Sequence, residues 1–277
     1  MKISVIIPVF NQEKQVEKCL LSLTSQTLKG FEIIVVDDGS TDGTAKVLTS
    51  FKSQVSNLKV YKQKHQGPAK ARNLGAKHSQ GEILVFVDGD MYFGDNFLKK
   101  LIQPIVLGKV KGTFSTEEYV ANWDNVWARC WNYNWNLPDK KRIDPRRKDQ
   151  QKDFRAILKK EFEKVAGFDS TGYTDTWTLA EKLGYQPAPV KAVYHHYNPD
   201  SLIKVFNQAR WVAKRKYKWG WPGKLIALLR VNPVFSLAGG LIKAVIKKEP
   251  LFLIFKLVYD FGYFLGILEE IKGKKYF

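Results

Sequence analysis

The sequence has only two cysteines, Cys19 and Cys130, among 277 residues. Two thiols cannot build a disulfide framework or a four-cysteine zinc site, so nothing in them implies an oxidising compartment. No stretch of about 18–20 uncharged apolar residues occurs, which argues against a conventional membrane-spanning helix. The apolar run 3–10 is too short for a signal peptide, contains Pro8 and ends in Asn11-Gln12-Glu13-Lys14 without a small-residue cleavage site. No Gly-x-Gly-x-x-Gly follows that run, which excludes the dinucleotide fingerprint. Internal repeats and long low-complexity tracts are missing too. Acidic residues are in short supply: 27 Asp+Glu face 45 Lys+Arg, a formal net charge of +18.

What is present is a folded composition, 44% hydrophobic and 13% aromatic. The charge is uneven. Residues 1–136 carry 17 basic and 13 acidic side chains, whereas 137–277 carry 28 and 14. A nearly balanced front and a basic back suggest chemistry in the first part and contact with something anionic in the second. The first ~110 residues alternate strand and helix patterns: strands over 3–9, 33–36, 58–61 and 83–87, helices over 14–24, 41–51, 68–79 and 96–107. That alternation predicts an α/β fold with a mostly parallel sheet flanked by helices. Ligands in such sheets sit beyond the carboxyl ends of the strands, where Asn11, Asp37-Asp38 and Asp88-Asp90 fall. Segment 138–153 reads as a charged surface loop, 159–165 and 177–183 as helices, 190–194 as a strand, and 202 onward as broken helix.

Four constellations stand at element ends. Asp37-Asp38-Gly39-Ser40-Thr41-Asp42 follows a strand; it is either a carboxylate site for a base or ribose or an ordinary helix-capping turn. Asp88-Gly89-Asp90 also ends a strand. Two close carboxylates repel unless a hard divalent cation neutralises them, although an Asp-Gly-Asp loop is a common turn. Gly167-Phe168-Asp169 leads to Asp175, which is either a helix cap or a general base. His195-His196 offers imidazole for a metal or is simply one exposed and one buried histidine.

Taken in order, Ser4–Asn11, Val36–Asp42, Gly67–Gly75 and Val87-Asp88-Gly89-Asp90, followed by Gly167-Phe168-Asp169 and Asp175, resemble family 2 glycosyltransferases of the GT-A fold. The resemblance covers roughly residues 3–215. It implies a metal-dependent, inverting enzyme acting on a nucleoside diphosphate sugar, a UDP-sugar being favoured, with a glycan or lipid-linked acceptor. Pro8, Phe10, Asn11, Asp37, Asp38, Arg72, Asp88 and Gly89 would contact the nucleotide sugar. Asp90, with His195 or less favourably His196, would bind Mn or Mg. Asp175 would be the general base, with Thr174 where the family carries Glu. Asn207-Gln208-Ala209-Arg210-Trp211 is similar to the Gln-x-x-Arg-Trp motif of processive members, with Asn207 replacing its Gln. Trp177, Arg210 and Trp211 are the expected acceptor contacts.

The expected organisation is a catalytic domain over 1–200, with a donor half 1–110 and an acceptor half 111–200, and a basic amphipathic helical extension over 201–277. Trp123, Trp127, Trp131 and Trp135 recur every four residues, either as a packed helix face or as a platform for sugar rings. Residues 201–277 hold 15 basic and 4 acidic side chains among broken apolar helices. They suit an anionic membrane surface, with Trp219 and Trp221 at headgroup depth; packing on the domain or on a second subunit of a homo-oligomer is the alternative. A cytoplasmic location on the inner face of the cell membrane follows from that reading. A nucleic-acid-binding role is disfavoured, because no recognition module is present and strand-end carboxylates repel phosphate. A catalytically silent, nucleotide-sugar-binding relative is the other alternative.

Overall fold

The first apolar run forms strand β1 (Ile3–Val9), buried along its whole length as a strand covered on both faces must be. The computed structural model describes residues 1–144 and 153–273. Strand–helix alternation continues through α1 (Val16–Thr24), β2 (Glu32–Asp37), α2 (Thr44–Gln54), β3 (Leu58–Lys62), α3 (Pro68–Lys77), β4 (Ile83–Phe86), β5 (Met91–Phe93), α4 (Phe97–Val106), β6 (Gly112–Ser115) and β7 (Glu118–Val120). Then come α5 (Val126–Asn134), β8 (Ala156–Leu158), α6 (Lys159–Lys164), a 3-10 turn Asp175–Trp177, α7 (Thr178–Leu183), β9 (Ala188–Val190) and β10 (Tyr194–His196). Four helices close the chain: α8 (Leu202–Val212), α9 (Trp221–Arg230), α10 (Pro233–Lys247) and α11 (Phe252–Ile271).

The main sheet has the order β3-β2-β1-β4-β8-β6-β9. Its β3-β2-β1-β4 part is parallel, and β8 runs antiparallel to both β4 and β6. One apolar layer, with Leu20, Leu23, Leu98 and Leu101, covers one face; another, with Ala71, Ala76, Phe162 and Leu179, covers the other. The β1–β4 ladder stops at Ile6↔Phe86, while β1 stays paired with β2 as far as Val9↔Asp37. The carbonyl of Ile6 accepts from Val87 N–H at 3.1 Å on the β4 side, so alternation turns the backbone nitrogen of Pro8 to that same side, past the end of the ladder. A residue without an N–H sits there at no cost in hydrogen bonds.

The expected strand over 190–194 is two strands. β9, holding Pro189, lies at the edge of the large sheet, and β10 lies between β5 and β7 in a separate three-stranded sheet. His195 and His196 are therefore in a strand rather than after one. The charged loop expected over 138–153 falls partly on 145–152, outside the described residues.

The chain divides into two compact units, one of Met1–Tyr119, Ile143–Ser170 and Asp175–His196, the other of Val120–Arg142, Thr171–Thr174 and Tyr197–Phe277. A boundary at residue 200 is thus corrected: the tryptophan-rich 120–142 segment belongs with the C-terminal helices. The physical reason is its large apolar area. Trp131 is buried and Trp123, Trp127 and Trp135 pack around it in one cluster with Val205, Phe252, Phe255 and Tyr259. The stripe is a core face. Within this unit α8 and α11 lie close because Gly262 and Gly266, one turn apart, leave their contact free of side chains; a Cβ on Gly262 would lie 2.5 Å from the Phe206 carbonyl oxygen.

Candidate active site

Strand ends and helix starts of the first unit bring acidic motifs together with the expected Arg72 and one unforeseen arginine, Arg155. Arg72 on α3 donates from Nη2 to Asp88 Oδ1 at 2.6 Å and from Nη1 to Asp175 at 3.4 Å. Its side chain is 7% exposed. Arg155, next to β8, reaches the other Asp88 oxygen at 3.4 Å. One guanidinium thus bridges the carboxylates of Asp88 and Asp175, which are 87 residues apart in sequence.

The two carboxylates differ in electrostatics. Burial alone would raise Asp88, but Arg72, Arg155 and His196 outweigh it and hold its carboxyl well below the usual carboxylate range. For Asp175 burial wins; Arg72 opposes it, the charge of Asp88 reinforces it, and the carboxyl is pushed up to about 6. Thr178 caps the turn by donating to the Asp175 carbonyl at 2.6 Å. Asp153, raised by burial, hydrogen-bonds Thr176 and adds to the negative surroundings of Asp175.

Asp90 meets His196, not His195. His196 Nε2 lies 3.2 Å from Asp90 Oδ1, while its Nδ1 lies 2.8 Å from Glu118 Oε1. Tyr194 donates to the other Glu118 oxygen at 2.9 Å. Strand alternation puts Tyr194 and His196 on one face of β10 and sends His195 to the other. There His195 stacks on Tyr92 at 4.5 Å, its Nδ1 buried without a hydrogen-bond partner among the described residues. The expectation of His195 beside Asp90 is corrected by this register. Among the described residues no three His, Cys, Asp or Glu side chains form a metal cluster. A carboxylate oxygen next to an imidazole nitrogen, with Glu118 orienting the ring, nevertheless fits a divalent cation.

The expected nucleotide end of the site is built from loops. Asn11, at φ 53°, accepts from Thr41 N–H at 2.9 Å and donates its own N–H to Ser40 Oγ at 3.0 Å. Gly39, at φ 79°, passes so close that a Cβ would lie 2.9 Å from His65 N. Phe10 stacks on His65 with ring centroids 3.9 Å apart. A cleft of about 510 Å³ is lined by Gly39, Ser40, Lys62, Gln63, Lys64 and His65. Asp37 accepts from Ser40 N–H at 2.9 Å. Asp38 is 2% exposed, and its oxygens accept from Gln63 Nε2 at 2.6 Å, Gln66 N at 2.9 Å and Gly67 N at 2.9 Å. These bonds fix the 63–67 loop ahead of α3. Gly89 lies where a Cβ would meet Val9 Cγ1 at 2.8 Å.

The expected acceptor residues separate. Trp177 ends the 3-10 turn begun by Asp175. Arg210 and Trp211 are on α8 in the helical unit, where Arg210 pairs with Glu269 and Trp211 stands edge-on to Tyr173 at 5.4 Å. Sequence reasoning missed Arg155, Glu118 and His65. Only Arg155 had a signal, as a charge inside the apolar run Phe154–Leu158.

The sheet order, the strand-end carboxylates and the bridging arginine define a GT-A-type nucleotide-sugar fold. The family model "Glycosyl transferase family 2" matches residues 4–165, and the chain belongs to that family. A poly(ribitol-phosphate) beta-glucosyltransferase of Bacillus spizizenii is 41% identical over 123 residues, 40% of this chain and 19% of that protein. The match therefore spans about a fifth of the relative's length. Among solved structures, S. aureus TarS 1-349 covers 99% of this chain and 92% of its own at a TM-score of 0.57 and 20% identity. The mannosyltransferase PcManGT of Pyrobaculum calidifontis, solved with GDP-Man and Mn2+, covers 99% and 88% at 0.63 and 18%. These likenesses establish the fold.

Proposed function

We propose that the chain is an inverting, divalent-cation-dependent glycosyltransferase. It moves a sugar from a nucleoside diphosphate sugar, a UDP-sugar being the favoured donor, to a hydroxyl of a glycan or lipid-linked acceptor at the cytoplasmic face of an anionic membrane. The observation that carries this reading is Arg72 bridging Asp88, which is held ionised, and Asp175, whose carboxyl is pushed up to about 6. Such a difference between neighbouring carboxyls separates a binding role from a proton-transfer role.

The acceptor oxygen bonds to the anomeric carbon as the bond from that carbon to the diphosphate oxygen breaks. The leaving electron pair goes with the diphosphate, and the acceptor proton goes to Asp175. One displacement turns an α-linked donor into a β-linked product. Asp88 binds donor hydroxyls. Arg72 holds both carboxylates in register and contributes positive charge. Asp90 and His196 would hold Mn or Mg, which when bound supplies positive charge for the leaving diphosphate. Pro8, Phe10, Asn11, Asp37 and Gly89 shape the nucleotide end, where Phe10 and His65 offer an aromatic face for the base. Trp177, beside the base, is the acceptor contact.

Thermal-shift titration with a panel of nucleoside diphosphate sugars tests this. At least one donor should raise Tm, and more so with Mn2+; near 100 times its Kd the gain is about 2.7 kcal/mol. A panel without any Mn2+-dependent stabilisation would remove the reading, as would an α-linked product from an α-linked donor. The two histidines are separable in the same assay. His196→Ala should raise the Mn2+ concentration needed for the donor shift by at least about 10-fold, and His195→Ala should leave it unchanged.

A further inference from the structure

The last helices are inside out. On α10 the inward positions are Ser236, Gly240, Lys243, Ala244 and Lys247, whereas Val234, Phe235, Leu237, Leu241, Ile242, Val245 and Ile246 face outward. Val245 is 77% exposed and Val234 71%. α9 repeats the pattern, with Leu225, Ile226 and Leu229 outward and Lys224 turned in to Glu270 at 2.6 Å. The polar groups are satisfied inside the unit. Asp260 of α11 is 2% exposed and takes Lys256 at 2.6 Å and Ser236 at 2.6 Å. Lys243 donates to the Tyr133 carbonyl at 2.7 Å and to Asn136 at 2.8 Å. A helix in water turns such groups outward and its leucines and valines inward; these helices do the reverse.

We propose that α9 and α10 bury their outer faces in the hydrocarbon of one leaflet of a lipid bilayer, entering and leaving on the same side. The inference rests on the membrane part of the proposed function and changes its physical kind, from attraction of basic residues to anionic lipid to apolar insertion. Lipid is the favoured occupant because of what rims the apolar face. Trp219 and Trp221 are exposed at its start, and exposed Lys218, Arg230 and Lys248 flank the two helices, the aromatic and basic belt that suits a headgroup layer.

Neither helix is long enough to cross alone, and a bent pair suits re-entry. α9 has 10 residues and α10 has 15, about 15 and 22 Å at the usual helical rise, against a hydrocarbon core of about 30 Å. The pair is bent by 60°. Among the described residues no single helix is long and apolar enough to cross.

The test is flotation of the full chain with vesicles of pure phosphatidylcholine, and separately with 30% phosphatidylserine added, at about 0.1 and 1 M NaCl, where screening lengths are about 10 and 3 Å. The expected result is flotation with both lipids at both salts, lost more than 10-fold in the double variant Ile242→Asp/Val245→Asp. Both positions are exposed, so the variant keeps its fold, checked by an unchanged Tm. Flotation only with anionic vesicles at low salt would overturn insertion while leaving surface attachment intact. A lipid-free homodimer that the same double variant dissociates would show that a second copy covers the face. No flotation at all would remove both membrane readings and leave the transfer chemistry standing.

Discussion

Asp175→Asn is expected to lower transfer by about 10³-fold, within the range that a positioned general base contributes, while donor-induced stabilisation with Mn2+ stays within a factor of two or so of the parent. The parent's kcat/KM should fall tenfold per pH unit below about pH 6, where the Asp175 carboxyl takes up its proton, and that limb should vanish in the variant. Near-parental turnover would sink the assignment. Stability moves the other way. In the unfolded chain the carboxyl ionises near its ordinary 3.8, and in the folded protein near about 6. Between those values the native state holds a proton that the unfolded state has released, so stability falls as pH rises through the window. Above it the ionised, buried carboxylate costs about 3 kcal/mol. The asparagine variant should therefore melt higher than the parent at pH 7.5, with the gain fading towards pH 4. A catalytic group that destabilises its own fold is a signature a mere helix cap would not give.

Arg72→Ala should cost about 3–5 kcal/mol, because it strands two buried carboxylates without their shared partner. For a chain of this size that is a fall in Tm of roughly 5–9 °C. Arg72→Lys separates structure from chemistry. The ammonium keeps the charge but not the planar fork, so it can satisfy Asp88 or Asp175 and not both. The lysine variant should recover most of the Tm and little of the activity, with the acid limb of its pH profile moved upward as Asp175 loses its counter-charge. Equal recovery of Tm and turnover would mean that the bridge is dispensable to the reaction.

The parallel half of the sheet was legible because Ile33–Val36 and Ile83–Val87 are continuous apolar runs that end in carboxylates, and buried strands leave that pattern. Asp88, Asp90, Arg72 and Asp175 were legible from ordered motifs. The choice between His195 and His196 was not, since it depends on the register of β10 against Met91–Phe93, and a slip of one residue exchanges the two faces. Nor could the sequence show that Asp38 anchors Gln66 and Gly67. The C-terminal helices carry the broadest lesson. Their mixture of lysines with leucines and valines was visible, but periodicity gives the existence of an apolar face, not the direction in which it points. Lys224, Lys243 and Lys256 face the helical unit's own interior, the opposite of what a basic, lipid-attracted surface would require.

Pro8 closes the account of the first unit. A strand whose ladder has ended normally leaves donors and acceptors unpaired, and such an edge recruits any extended segment that comes near. Here the edge lies within the sheet, between β1 and the turn that carries Asp88-Gly89-Asp90. Position 8 has no proton to donate, so this internal edge is chemically blunt on the side facing that turn. The ladder between the two strand ends therefore cannot be extended through position 8, whatever segment comes near.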